Sequence, residues 1–361
     1  MFSPSDLLKS LGIVLVCVLS FSCSPRKTEA EAHSFFPLVP EKGLYVGAYV
    51  DFGEGEAEVT LEAVEKFQEM VGKSQAIIAS GSFWGDQSFP QKNCAIIDAY
   101  GAVPLLYWSP WDKPYMEDRG VDRFSLKSIL EGKWDAYIDQ WSAGAIHYGK
   151  PLYVAWGLEM NGTWFPWSGY FYGGGKVIGP KQWEGPELYK KTYRYVVDRV
   201  RKNGVKNIQW VFHSMNYPYP DEEWNQMAAY YPGSDYVDWL ALSVYGKQFK
   251  GDVWKSFRDL AEYPYNKICQ LDPVKPVMLA EWGVGEYPES GSKGLFIENA
   301  FKIMKTFPRL KAAVFWHERW ENSDGTFSNL RVNSSPEALE SFQKGIADPY
   351  YLDRPLFTPS K

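Results

Sequence analysis

Short runs of apolar, largely β-branched and aromatic residues recur along this chain with amphipathic stretches between them, and few folds accommodate that alternation. One of them, Pro151–Trp156, carries no charge and reads as a strand buried on both faces, as parallel sheets require. From Gly43 the runs fall at 43–50, 75–79, 103–108, 151–156, 207–212, 236–245, 275–283 and 312–316. Helical spacing fills the gaps: Leu61, Val64, Phe67 and Met70 mark a helix over 60–71, and others are predicted over 134–148, 188–202, 253–268 and 295–306. Strand and helix in alternation make an α/β chain, and eight such strands close a single (β/α)8 TIM barrel. The 361 residues, less an N-terminal segment, suit one large barrel with loop insertions and no second domain.

The N-terminal segment has its own logic. Leu11 to Phe21 is an apolar run of signal length behind Lys9, so residues 1–22 read as an export signal and not a spanning helix. Leu19-Ser20-Phe21-Ser22-Cys23 is similar to a relaxed bacterial lipobox, with Cys23 as the acylated residue, although strict versions place Leu one position nearer. Residues 23–35 are then a flexible tether, 36–350 the barrel and 351–361 a C-terminal tail. The protein is expected outside the cytoplasm, lipid-anchored to a bacterial membrane or cell surface, and otherwise periplasmic or secreted. A monomer is expected.

Composition narrows the partner. A net charge of −6 without a Lys/Arg-rich tract argues against nucleic acid and anionic polymers. Aromatic residues make up 17% of the chain, with 16 Trp, and such rings offer flat apolar faces to sugar C–H groups. A neutral polysaccharide fits both. Cys94 and Cys269 could pair in an exported protein, and buried free thiols are the expectation for them. His33, His147, His213 and His317 show no metal-binding spacing, Gly173-Gly174-Gly175-Lys176 is not a phosphate cradle, and no G-x-S-x-G elbow occurs, so neither metal nor cofactor is predicted.

Two stretches share one build. Pro151–Trp156 runs into Gly157-Leu158-Glu159-Met160-Asn161-Gly162-Thr163-Trp164-Phe165-Pro166-Trp167, and Lys275–Ala280 runs into Glu281-Trp282-Gly283. Each delivers a lone carboxyl at the end of an apolar strand, the face where such barrels do their chemistry. Two carboxyls flanking a glycosidic bond, one protonated and one ionised, are the skeleton of a glycosidase. Trp164 and Trp167 would exclude water around Glu159 and raise its pKa, and an ionised Glu281 would push the same way, which makes Glu159 the acid.

These stretches, with Gly233–Gly246 (GSDYVDWLALSVYG) between them, resemble glycoside hydrolase family 26, whose best-known members are endo-β-1,4-mannanases on a TIM barrel. The likeness runs from about Leu44 to Trp316. It implies Glu159 as acid/base, Glu281 as nucleophile and Tyr245 as the tyrosine that orients the nucleophile. One departure stands out: the family usually has His before the acid/base, and this chain has Leu158.

Position near the strand ends nominates Trp164, Trp167, Trp316, Trp108, Trp282, Asn161 and His213 as substrate-binding residues, and Trp316 resembles the platform under the cleaved sugar in related barrel glycosidases. The expected activity is retaining hydrolysis of a neutral β-linked backbone, β-1,4-mannan first. A β-1,3-1,4-glucanase or β-xylanase of the same fold, or a catalytically weak glycan-binding surface lipoprotein, stand as alternatives.

Overall fold

The computed structural model describes residues 35–52, 58–112 and 123–357. The predicted signal segment, Cys23 and all but the last residue of the tether lie outside them.

Eight parallel strands form the sheet: β1 (Leu44–Val50), β2 (Ile77–Phe83), β3 (Val103–Ser109), β4 (Leu152–Trp156), β5 (Ile208–Met215), β6 (Trp239–Tyr245), β7 (Val277–Gly283) and β8 (Leu310–His317). Each pairs with the next, and β8 pairs with β1 from Tyr45↔Ala312 to Val50↔His317, which closes the (β/α)8 barrel. β1, β2, β3 and β7 are buried along their whole length, one face inside the barrel and the other beneath the helices. That double burial is why the strands are written as unbroken apolar runs.

The main helices are α1 (Leu61–Val71), α2 (Gln91–Tyr100), α3 (Asp135–Tyr148), α4 (Glu184–Lys202), α5 (Phe257–Cys269), α6 (Lys293–Met304) and α7 (Pro336–Ile346). Their ends follow local chemistry. α5 starts four residues later than the spacing predicts because Ser256 and Asp259 form a reciprocal capping box. α4 starts four residues earlier than predicted, since Pro186 sits in its first turn, where a missing N–H costs nothing. Residues 351–352, predicted as tail, extend the sheet instead: Leu44↔Tyr351 and Tyr45↔Leu352 pair in parallel, and Tyr351 is buried.

Side-chain alternation sorts the aromatic residues into two layers. On β3, Tyr107 points inward and donates its hydroxyl to the Ala280 carbonyl (2.8 Å), whereas Trp108 points outward and stacks on Trp141 of α3 (3.9 Å, 15°). On β8, Trp316 stacks on Tyr49 (3.9 Å, 6°), whereas Phe315 packs on Trp282 and on Phe342 of α7. Trp108 and Trp282, nominated as groove residues, therefore belong to the layer between strands and helices, because strand position alone does not fix which face a residue takes.

β7 contains an irregularity that both neighbours register. β6 passes from Leu242↔Leu279 to Ser243↔Glu281, and β8 from Ala313↔Leu279 to Phe315↔Trp282, so β7 carries one residue more than either partner just before Glu281. Such a bulge re-aims the side chain beside it. Cys94 is buried and Cys269 half-buried, and both are free. Among the described residues no helix is long and apolar enough to cross a membrane.

Candidate active site

At the C-terminal end of β4 the chain turns through two left-handed residues, Gly157 (φ 56°) and Glu159 (φ 52°). The second is unusual for a side chain as large as glutamate, and its neighbours hold it there. The Glu159 N–H donates to the His213 carbonyl on β5 (2.8 Å), and the Gly157 N–H donates to the Trp108 carbonyl on β3 (3.2 Å). The turn is thus pinned to the strands on both sides. Trp167 adds a third anchor by donating Nε1–H to the Leu158 carbonyl (2.6 Å).

The loop then folds back over its own carboxyl. Trp164 donates Nε1–H to Glu159 Oε2 at 2.7 Å. Gly162 makes this possible, since a Cβ there would lie 2.4 Å from the Trp164 ring. Asn161, nominated as a substrate contact, is fully buried and braces the loop instead: its Oδ1 accepts from the Met215 N–H (3.0 Å) and its Nδ2 donates to the Met215 carbonyl (3.3 Å). Trp167 is likewise buried, stacked on Phe165 (4.5 Å, 15°), and supports the loop from below.

Glu281 enters from β7, next to the bulge, and is 6% exposed. Tyr245 on β6 donates its hydroxyl to Glu281 Oε2 at 2.7 Å. Burial, and then the charges of Glu281 and Glu159, push the Tyr245 phenol well above its ordinary range, so it remains a donor. His213 completes the cluster. It lies within β5 and not in a loop, 1% exposed, with Nε2 2.7 Å from Ser243 Oγ. One side-chain atom each of Glu159, His213 and Glu281 lie within 4.8 Å of one another. These residue types also ligate cations, a juxtaposition that linear histidine spacing does not reveal. In this structure Trp164, Tyr245 and Ser243 already engage one atom of each.

The two carboxyls are unlike in surroundings. Burial raises the pKa of Glu159, while the hydrogen bonds from Ser243 and Trp164 pull it back. Trp164 therefore opposes part of the shift through its N–H, while the exclusion of water that raises the pKa is the larger effect. Burial also lowers His213 to about 3, so the imidazole is neutral.

Trp316 faces the barrel interior, 7% exposed, and donates Nε1–H to Glu318 Oε2 at 2.7 Å. Burial pushes Glu318 up to about 7. Asp51 is held by the guanidinium of Arg331. The structure thus gathers Glu159, Glu281, Tyr245, Trp164, His213 and Trp316 around one interior and places Trp108, Trp282, Trp167 and Asn161 behind it. Sequence reasoning passed over Ser243, Tyr107 and Tyr49, which face the same interior. Ser243 had one available signal, its position two residues before Tyr245 on an alternating strand.

Residues 150–290 match the model of Glycosyl hydrolase family 26. Endoglucanase H of Acetivibrio thermocellus is 28% identical over 310 residues, covering 84% of this chain and 30% of that protein. A mannan endo-1,4-beta-mannosidase of Bacillus subtilis is 29% identical over 246 residues, covering 66% of this chain and 58% of that one. The chain thus spans between about a third and three fifths of these relatives. The solved Bacillus subtilis mannanase BCman superposes with a TM-score of 0.58 at 19% identity, covering 87% of this chain and 88% of the other, and shares the barrel.

Proposed function

We propose that this chain, which belongs to glycosyl hydrolase family 26, is a retaining endo-β-glycosidase acting on a neutral β-linked polysaccharide, with β-1,4-mannan the first candidate. One observation carries the mechanism: oxygens of Glu159 and Glu281 approach within 4.8 Å. That suits the roughly 5–5.5 Å of double displacement and falls short of the about 6.5–9.5 Å at which an inverting pair admits a water. Glu159, kept protonated by burial, gives its proton to the leaving glycosidic oxygen as Glu281 attacks the anomeric carbon. Glu159 then takes a proton from water, whose oxygen displaces Glu281 from that carbon. Tyr245 orients Glu281 through its 2.7 Å bond, and the Trp316 face, backed by Tyr49, supports the sugar.

A second substrate has specific support. Endoglucanase H matches over 84% of this chain, and Leu158 stands where the family resemblance implies His, which favours a β-glucan, mixed-linkage glucan included, as the alternative. The decisive experiment is reducing-end release from glucomannan, galactomannan, mixed-linkage glucan and xylan by the mature protein and by Glu159→Ala and Glu281→Ala. Release from one polymer, lost in both variants, establishes the activity and its substrate. Binding without release, surviving both substitutions, makes the protein a glycan-binding one.

The run 11–21 and Cys23 support export with an acyl anchor on Cys23. Incorporation of labelled palmitate into the parent but not into Cys23→Ser tests this. Sedimentation of the mature protein tests the proposed monomer.

A further inference from the structure

β6 points two hydroxyls at the two carboxyls. Tyr245 bonds Glu281, and Ser243, two residues earlier and therefore on the same face, sits opposite Glu281 in the ladder and beside His213, whose ring lies within 4.8 Å of a Glu159 oxygen. Ser243 Oγ also meets His213 Nε2 at 2.7 Å. A neutral imidazole has one donor and one acceptor nitrogen. Among the described residues nothing accepts from His213 Nδ1, and an unpaired buried N–H is rarer and costlier than an unpaired acceptor. The proton therefore resides on Nε2, which donates to Ser243 Oγ. Ser243 has a single hydrogen, and it is left free for Glu159.

We propose that His213 and Ser243 are positioning residues for the acid/base, a fixed chain in which His213 Nε2–H orients the Ser243 hydroxyl and that hydroxyl holds the Glu159 carboxylate. The proposal rests on the glycosidase reading. It supplies what Glu159 needs between its two tasks. In the first step its proton leaves to the glycosidic oxygen as the C–O bond breaks and the Glu281–carbon bond forms, and the carboxylate left behind accepts from Ser243 O–H and Trp164 N–H. In the second step it takes a proton from water as the water oxygen bonds the anomeric carbon and Glu281 is released. The hydrogens of Ser243 and His213 stay where they are in both steps. The other titratable groups facing this carboxylate are Glu281 from β7 and Tyr245 from β6, with Tyr107 from β3 behind Tyr245.

The test uses the full chain with Ser243→Ala, Ser243→Thr, His213→Leu and His213→Gln. The first readout is titration of Glu159 by 13C carboxyl NMR, assigned with Glu159→Gln, which needs no turnover. The second is kcat and KM against pH on whichever polymer of the panel the parent cleaves. Removing a donor to the ionised form favours the protonated form. Ser243→Ala should therefore move the Glu159 titration and the alkaline limb of kcat/KM to higher pH, with kcat down about ten- to hundredfold and KM unchanged. Thr keeps the hydroxyl and Gln keeps a donor near the Nε2 position, so both should stay near the parent, whereas His213→Leu should follow Ser243→Ala. An unmoved Glu159 titration in Ser243→Ala, or equal damage from Ala and Thr, overturns the proposal. If Ser243→Ala does not fold, the contrast between His213→Leu and His213→Gln decides. A parent that titrates as described but cleaves no polymer refutes the glycosidase reading and leaves the hydrogen-bond chain standing.

Discussion

Replacing Tyr245 with Phe removes one oxygen and little else. The lost contact is the 2.7 Å bond to Glu281 Oε2, made by a phenol that stays protonated because burial and two nearby carboxyls hold its pKa well above 10. The ring itself keeps its place, since its edge rests near Gly283 and not on the hydroxyl. A hydrogen bond to a buried charged acceptor contributes about 1.5–3 kcal/mol, which corresponds to a rate factor of about 10–100. Tyr245 orients the attacking carboxylate and does not hold the length of a polymer, so the loss should fall on kcat, with KM and the melting midpoint nearly unchanged. Initial rates on the cleaved polysaccharide, with a thermal melt of each protein, give both quantities. A fall in kcat of less than about threefold, below what even the weaker bond implies, or an equal effect carried by KM, would refute the argument that Tyr245 aims Glu281.

Further perturbations separate the roles of neighbouring residues. Gly162→Ala places a Cβ against the Trp164 ring, so the indole must tilt off Glu159; kcat should fall well before the fold does, as rate and melting measurements will show. Glu159 has a folded pKa above its ordinary 4.5, so its contribution to stability is present at low pH and lost as pH rises through the folded value. Glu159→Gln cannot ionise, and should therefore melt above the parent at pH 8 with the difference shrinking towards pH 4. Trp108→Ala should cost about 3–5 kcal/mol in denaturant unfolding, because the whole indole is buried against Trp141. Trp316→Ala, by contrast, should raise KM for the polymer several-fold.

The barrel could be read from the chain because burial on both faces leaves strands unusually apolar, and the two glutamates stood out as the lone charges that interrupt such runs. Apolarity on both faces is also what concealed the rest. A strand with no polar face does not disclose which of Tyr107 and Trp108 looks inward, so position nominates Trp108 and Trp282 for the groove together with Trp316. Asn161 looked like a ligand because it sits beside the acid, yet its hydrogen bonds serve β5. The bulge in β7 left no mark in the letters at all, since it exists only relative to the neighbouring strands. Ser243 was legible in principle, through its parity with Tyr245.

That extra residue in β7 has a consequence for how the protein can vary. Two clocks run along the strand: residues up to Leu279 keep time with the barrel packing, and residues from Glu281 keep time with the carboxyl opposite. The slack between them lies at Ala280, whose carbonyl is caught by Tyr107 from across the interior. Repacking of the lower barrel can then drift without turning the nucleophile away from its partner. Were the extra residue absorbed into a regular ladder, with Ala280 opposite Ser243, Glu281 would fall opposite Val244 and face the helices.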